Sequence, residues 1–314
     1  MKAILRELLY PIPSELRLRH TMLDHGGADR VRRSLRTHFH QGWRAQENYS
    51  EAFYQHDVEA HLYKRLINDR RLVVPWLNSA RSLQGLRVIE IGCGTGSSTV
   101  ALAEQGAHVI ALDVDGAALQ VARERCGVHG LSVEFRQQNA QHLLDLGRAD
   151  AVIYFAVLEH MTHEERLQSL AQAWELLPAG GLLAIIETPN RLWFFDHHTS
   201  QLPFFNWLPD ELAFAYSRFS PKEIFKDSYR EPDAASIDHF RRRGRGASYH
   251  EIDLAIAPTQ TLETVSSLSS YFGWRLRIRT TRFARHYKAL LRSLRPDLHE
   301  GWFDPNLDLI IRKH

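Results

Sequence analysis

Apolar and polar residues change rhythm twice along this chain. Before about residue 80 the apolar positions recur every third or fourth residue, as Val58, Leu62 and Leu66 do within 57–67, and this spacing predicts helices. From about 86 to 188 short apolar runs alternate with helix-length segments. The runs predict strands at 87–91, 107–112, 132–136, 149–154 and 182–187. A helix over 162–177 opens with Thr162 and Glu165 in a capping-box arrangement and stops at Pro178-Ala179-Gly180-Gly181. Strand and helix in alternation predict a parallel sheet covered by helices on both faces, whose ligands bind beyond the carboxyl ends of the strands.

The alternation fails after Glu187-Thr188-Pro189-Asn190 for about 80 residues, far longer than an ordinary connection. Nine aromatic residues from Trp193 to Phe219 argue against disorder there, and the basic run Arg241-Arg242-Arg243-Gly244-Arg245-Gly246 follows them. Such an insertion at the ligand end of a sheet reads as a substrate lid. The sheet is expected to resume at 274–281 and to finish at 307–311. The division that results is an N-terminal helical extension (1–80), a cofactor-binding core (81–190), the lid (191–270) and the final strands (271–314).

The first strand runs into Gly92-Cys93-Gly94-Thr95-Gly96, and a helix-like segment follows from Ser97. Glycines let the backbone turn tightly and approach a ligand with no Cβ in the way. A dinucleotide fingerprint needs G-x-G-x-x-G, and here Ser97 fills the place of its last glycine. G-x-G-x-G preceded by Val88-Ile89-Glu90-Ile91 resembles the first motif of class I S-adenosylmethionine-dependent methyltransferases. Asp113, about 20 residues on, matches that family's ribose-binding acid, and Asn139-Ala140 matches the pair that edges the adenine. The resemblance implies an α/β, Rossmann-like, seven-stranded, mostly parallel sheet and S-adenosylmethionine as cofactor. It places Glu90, Gly92, Cys93, Gly94, Gly96, Asp113, Val114, Asn139, Ala140 and Phe155 at the cofactor, with Glu187 at the same mouth. A nicotinamide oxidoreductase is a distant rival.

Composition narrows the partners. Over 314 residues, 39 lysines and arginines nearly balance 37 aspartates and glutamates, so no global field draws the chain to nucleic acid or an anionic membrane. Cys93 and Cys126 are the only cysteines, which excludes a disulfide framework and a four-cysteine metal site and fits a reducing cytoplasm. Neither a signal peptide nor a membrane-spanning run is expected.

Methyl transfer from a sulfonium is an in-line displacement that needs alignment and an unprotonated acceptor. Histidine is the usual proton acceptor near neutral pH, and the chain has 18. His160 lies in Leu158-Glu159-His160, a triplet resembling that of the ubiquinone-pathway O-methyltransferases, where it serves equally well as base or as scaffold. In metal-assisted members an acid stands three residues before the glutamate; Ala156 stands there in this chain, so no metal is expected. Asp196-His197-His198 and Tyr249-His250-Glu251 lie in the insertion, and the histidine pair could orient an acceptor, take its proton or, with Asp196 and Asp253, hold an ion. Adjacent side chains point apart on an extended segment, so one of His197 and His198 is expected to face the pocket.

Trp193, Phe195, Tyr249 and His250 are candidates to line the acceptor site, with Tyr49, Phe53, Tyr54 and His56 of the N-terminal helices as further ones. The arginine run is either an anion contact or a solvated loop. The sequence thus reads as a methyltransferase acting on a small or lipid-like molecule, at oxygen first of all. An amine, a carboxylate or RNA as acceptor, and a non-catalytic cofactor-binding subunit, are the alternatives.

Overall fold

A computed structural model describes residues 19–41, 51–222, 225, 234–273 and 281–314. The strands are β1 (Arg87–Ile91), β2 (His108–Asp113), β3 (Glu134–Gln137), β4 (Ala151–Phe155), β5 (Leu182–Pro189), β6 (Glu263–Ser267) and β7 (Asn306–Arg312). They form one seven-stranded sheet in the order β3-β2-β1-β4-β5-β7-β6. β2 is parallel to both β1 and β3, whereas β7 runs antiparallel to β5 and β6. This is the Rossmann-like order, and the near-continuous apolar character of β1, β2, β4 and β5 reflects strands buried on both faces. By their contacts the residues divide into two units, 1–140 with 148–153, and 141–147 with 154–314.

In the first unit α1 (His25–Ser34) starts where Asp24 accepts a hydrogen bond from the Gly27 amide at 2.6 Å. Residues 51–80 are helical throughout: α2 (Glu51–Glu59), α3 (Arg65–Asn68) and α4 (Val74–Ala80) are joined by wider π-type turns. Val31, Leu35, Phe39, Val58 and Leu62 pack with Ala118 and Val121. The last two belong to α6 (Gly116–Val128), which follows α5 (Ser97–Ala103) and β2.

In the second unit α7 (His163–Leu176) carries the expected capping box: Thr162 Oγ1 accepts from the Glu165 amide, and the Glu165 carboxylate accepts from the Thr162 amide at 2.8 Å. The insertion holds α8 (Asp210–Ser217), α9 (Ala234–Arg242) and α10 (Tyr249–Ala255). Leu202, Phe205, Ala213, Phe214, Phe225 and Phe240 form its own apolar core, which accounts for Phe205, Phe214 and, packed against it, Tyr216 among the nine aromatics. After β6 come α11 (Leu268–Phe272) and α12 (Arg282–Leu294).

The return to the sheet comes earlier than expected. β6 lies at Glu263–Ser267, inside the stretch assigned to the lid, whereas 274–280 fall outside the described residues and Thr281 caps α12. Glu263-Thr264-Val265-Ser266-Ser267 is polar because an edge strand needs no apolar face on its open side, and periodicity gave no warning of it. Among the described residues no helix is long and apolar enough to cross a membrane.

Candidate functional site

The glycine turn after β1 uses its three glycines differently. All have positive φ, 81° at Gly92, 50° at Gly94 and 81° at Gly96, a region that costs other residues energy. A Cβ on Gly96 would stand 2.9 Å from the Cα and Cβ of Ala122, so this glycine lets the turn and α6 pack closely. A Cβ on Gly94 would meet no atom within 4 Å, so the space beside that residue is open to a ligand. The amides of Gly92 and Cys93 donate to the Leu112 carbonyl at 2.9 and 3.1 Å, fastening the turn to the end of β2.

Asp113 ends β2, and its two carboxylate oxygens accept from the amides of Gly94 at 2.8 Å and Asp115 at 2.9 Å. Burial raises its pKa, and those amides oppose the rise by stabilising the anion. Open space at Gly94 beside a fixed carboxylate fits the sugar of a nucleoside ligand such as S-adenosylmethionine. Glu90 has another job: it is fully buried, and its oxygens accept the hydroxyls of Ser98 and of Thr99, the latter at 2.6 Å. Burial pushes its pKa up to about 7, and the two hydroxyl contacts tie Glu90 to the start of α5 from inside. Cys93 and Ala140 are buried, whereas Val114 and Asn139 are exposed.

Two residues of this unit escaped the sequence reading. Arg125 on α6 is fully buried and donates to the carbonyls of Thr95 at 2.7 Å, His61 at 2.9 Å and Leu62 at 3.3 Å. Burial pulls its pKa down to about 10. His61 Nδ1 lies 2.9 Å from Thr95 Oγ1, so the N-terminal helices reach the glycine turn. A lone arginine following Ala118, Val121 and Ala122 on an apolar helix face was the available signal. Of the aromatics proposed there, Tyr54 packs on His40, His56 is exposed, and Tyr49 and the Phe53 side chain lie outside the described residues.

In the second unit the chain leaves β4 through Ala156, whose φ is 48°, into the short turn Leu158–His160. Glu159 is fully buried, and burial raises its pKa. Its Oε2 accepts from Thr188 Oγ1 at 3.3 Å, while Oε1 has no hydrogen-bond partner. His160 Nε2 lies 3.9 Å and His198 Nε2 3.8 Å from that same Oε1. His198 arrives on a turn built around the buried Asp196, which accepts the amides of His198, Thr199 and Ser200. The His198 side chain keeps 36% of its surface exposed, and its partial burial and the His160 imidazole both lower its pKa.

His160 and His198 are thus brought together, with ring centroids 5.5 Å apart. His197 is not: it is exposed and lies against Phe195. Trp193 is buried against Phe194 and Tyr287, Tyr249 lies under the Arg295 guanidinium, and His250 is exposed at the start of α10. Phe155 is half-buried at the end of β4. Asp253 accepts from the Thr259 amide and hydroxyl, both at 2.6 Å, and is no partner of the histidine pair.

Most of the arginine run is already paired. Arg241 binds Asp210, Arg242 binds both oxygens of Glu165, and Arg245 reaches Asp210 and the carbonyls of Phe205 and Leu208. The residue that sequence reading missed is Arg166 on α7. Buried, it donates to the carbonyls of Leu158 at 2.6 Å and Gly246 at 3.1 Å and pairs with Glu251 at 3.1 Å.

Residues 88–181 match the family described as a methyltransferase domain. The ubiquinone biosynthesis O-methyltransferase of Azorhizobium caulinodans is 35% identical over 114 residues, 36% of this chain and 44% of that protein. Its namesake from Pseudomonas aeruginosa is 32% identical over 131 residues, 41% of this chain and 55% of that protein. The chain thus spans about half the length of these curated relatives. Among solved structures, magnesium protoporphyrin IX methyltransferase of Synechocystis PCC 6803 with bound SAH is 26% identical, with 53% of this chain and 74% of that one covered at a TM-score of 0.38.

Proposed function

Because the chain carries a class I S-adenosylmethionine-dependent methyltransferase domain, we propose that the protein transfers the cofactor's methyl group to an oxygen of a small-molecule acceptor. The observation that carries the reading is the turn from Gly92 to Gly96, open beside Gly94 and tied to the Asp113 carboxylate. When bound, S-adenosylmethionine supplies an electrophilic sulfonium methyl, so the protein's part is to hold, align and manage one proton. In this reading Asp113 holds the ribose hydroxyls, Gly94 leaves room for the ligand, and Glu90 and Arg125 keep the turn in shape. Cys93, Val114, Asn139, Ala140 and Phe155 complete the proposed cofactor contacts.

Oxygen as the accepting atom rests on the names of the relatives, O-methyltransferases that this chain matches over about half their length, and on the Glu159–His160–His198 cluster. A hydroxyl that gains a methyl must lose its proton, and this cluster is where we assign that loss. Trp193, Phe195, Tyr249 and His250 belong to the insertion proposed to select the acceptor. His197 has no part in the cluster.

Titration calorimetry with S-adenosylhomocysteine on the parent and on Asp113→Ala tests the cofactor half. Binding that weakens about tenfold or more in the variant, some 1.4 kcal/mol, supports it. A parent that binds NAD and not S-adenosylhomocysteine sinks it. Incubation with methyl-labelled cofactor and a panel of hydroxylated, amine and carboxylate acceptors then tests the chemistry: label on a carboxylate or amine alone rules out oxygen transfer to a hydroxyl.

A further inference from the structure

The apolar stripe of α12 is left in water. Phe283, Leu290 and Leu294 fall at i, i+7 and i+11, the spacing of one face of a helix. They keep 62, 54 and 67% of their surfaces exposed, and Ala284 is the only buried residue of the whole helix. An amphipathic helix of a folded domain normally turns such a stripe to the core. This one does not.

The stripe continues into the insertion. Phe283 packs edge-on against Phe194 with ring centroids 4.8 Å apart and stacks on Tyr287 at 6.5 Å. Tyr287 in turn stacks on Trp207 at 6.5 Å, and Trp207 lies 4.9 Å from Phe204. Trp207 and Phe204 are themselves exposed. Two separate stretches of the second unit thus present one apolar surface. Single exposed apolar residues are ordinary, whereas a contiguous group marks a face that binds something.

Charge identifies the partner. Residues 281–295 hold five lysines and arginines and no acid, although the chain as a whole is nearly balanced. Three of the five are paired: Lys288 with Asp304 at 2.5 Å, Arg292 with Glu300 at 3.2 Å and Arg295 with Asp297 at 2.7 Å. Arg282 and Arg285 are exposed and pair with no acid among the described residues. They stand in the first turn, where the helix dipole opposes a cation, so the fold gains nothing from their charge. At about 100° of turn per residue, Arg282 and His286 border the apolar stripe and Arg285 lies just beyond them. Cations along an apolar stripe complement a surface that offers anions above hydrocarbon. A second copy of the chain would set cations against cations, and neither a free phosphate nor a nucleic acid backbone offers anything to the stripe.

We propose that α12, with Trp207 and Phe204 beside it, docks on an anionic lipid surface. The helix lies in the interface, with Phe283, Leu290 and Leu294 toward the acyl chains and the Arg282 and Arg285 guanidinium groups at the headgroups. Its 13 residues are too few to span a bilayer, so the contact is peripheral. Trp207 and Tyr287 suit the level between water and hydrocarbon, since each ring joins an apolar body to a polar edge. The inference concerns binding and stands apart from the proposed methyl transfer.

The test is co-flotation of the full chain with vesicles of phosphatidylcholine alone and of phosphatidylcholine with about 30% phosphatidylglycerol. Expected is flotation with the anionic vesicles, weakened by added salt, and little with the neutral ones. Leu290→Ser combined with Leu294→Ser, and Arg282→Glu combined with Arg285→Glu, should each weaken it about tenfold or more. Leu144→Ser, at an exposed apolar position in the short turn Leu144–Leu146, should leave it unchanged. Melting temperature and S-adenosylhomocysteine affinity of the variants should match the parent, which separates lost docking from lost folding. No flotation of the parent, equal flotation with neutral vesicles, or undiminished flotation of either double variant overturns the proposal. So does a dimer in light scattering that Leu290→Ser with Leu294→Ser dissociates, since the face would then belong to a second copy. Flotation as expected without S-adenosylhomocysteine binding would support the docking face and count against the methyltransferase reading alone.

Discussion

Glu90 and Glu159 are both fully buried carboxylates, yet their surroundings differ. Both oxygens of Glu90 receive hydroxyl hydrogens from Ser98 and Thr99, residues of the helix that begins a few positions later. Only one oxygen of Glu159 is satisfied, and the other faces two imidazoles that do not donate to it. A closed network holds the backbone in shape, whereas an open one leaves a buried oxygen whose desolvation is not repaid. The first unit's site is thus built from local contacts along one βαβ segment. The second unit's cluster is built from a turn after β4 and an insertion far along the chain, clasped by Arg166.

The largest expected effect tests that clasp. Arg166→Met removes a buried cation from Glu251 and leaves the Leu158 and Gly246 carbonyls without it, at a cost of about 3–5 kcal/mol in chemical denaturation. S-adenosylhomocysteine affinity should stay within about threefold, under 1 kcal/mol. A parallel collapse of affinity would break the distinction between the two regions.

The glycines sharpen it next. Gly96→Ala forces a Cβ against Ala122 at a left-handed position and should cost about 3 kcal/mol in thermal stability. Gly94→Ala meets no neighbour, so only about 1 kcal/mol of backbone strain is expected, with S-adenosylhomocysteine bound about tenfold or more weakly. Unaltered affinity in Gly94→Ala would mean that the open space is not where the ligand lies.

The last effect concerns pH and is spread over a window rather than lost at once. The folded pKa of Glu90, about 7, exceeds its ordinary 4.5, so between those values the folded chain keeps a proton that the unfolded chain has lost. Stability associated with Glu90 is therefore fully present below pH 4.5 and falls as pH rises toward 7, by up to about 3 kcal/mol. Glu90→Gln should flatten the melting-temperature profile across that window. An unchanged slope would mean that the hydroxyls hold Glu90 ionised throughout.

The sequence by itself determined β1 to β5 and β7, the glycine turn, the acid at the end of β2 and the capping box of α7. Each depends on periodicity or on spacing within a few turns of chain, where the backbone's own geometry dictates the outcome. The polar edge strand β6 was invisible for a local reason, since an edge needs no apolar face. Only tertiary structure decided which histidine of the pair joins Glu159, that Arg241, Arg242 and Arg245 are paired internally, and that Arg125 and Arg166 are buried anchors. Those outcomes depend on which distant carbonyls and carboxylates a side chain meets once water is excluded, and nothing in the spacing of residues encodes that meeting.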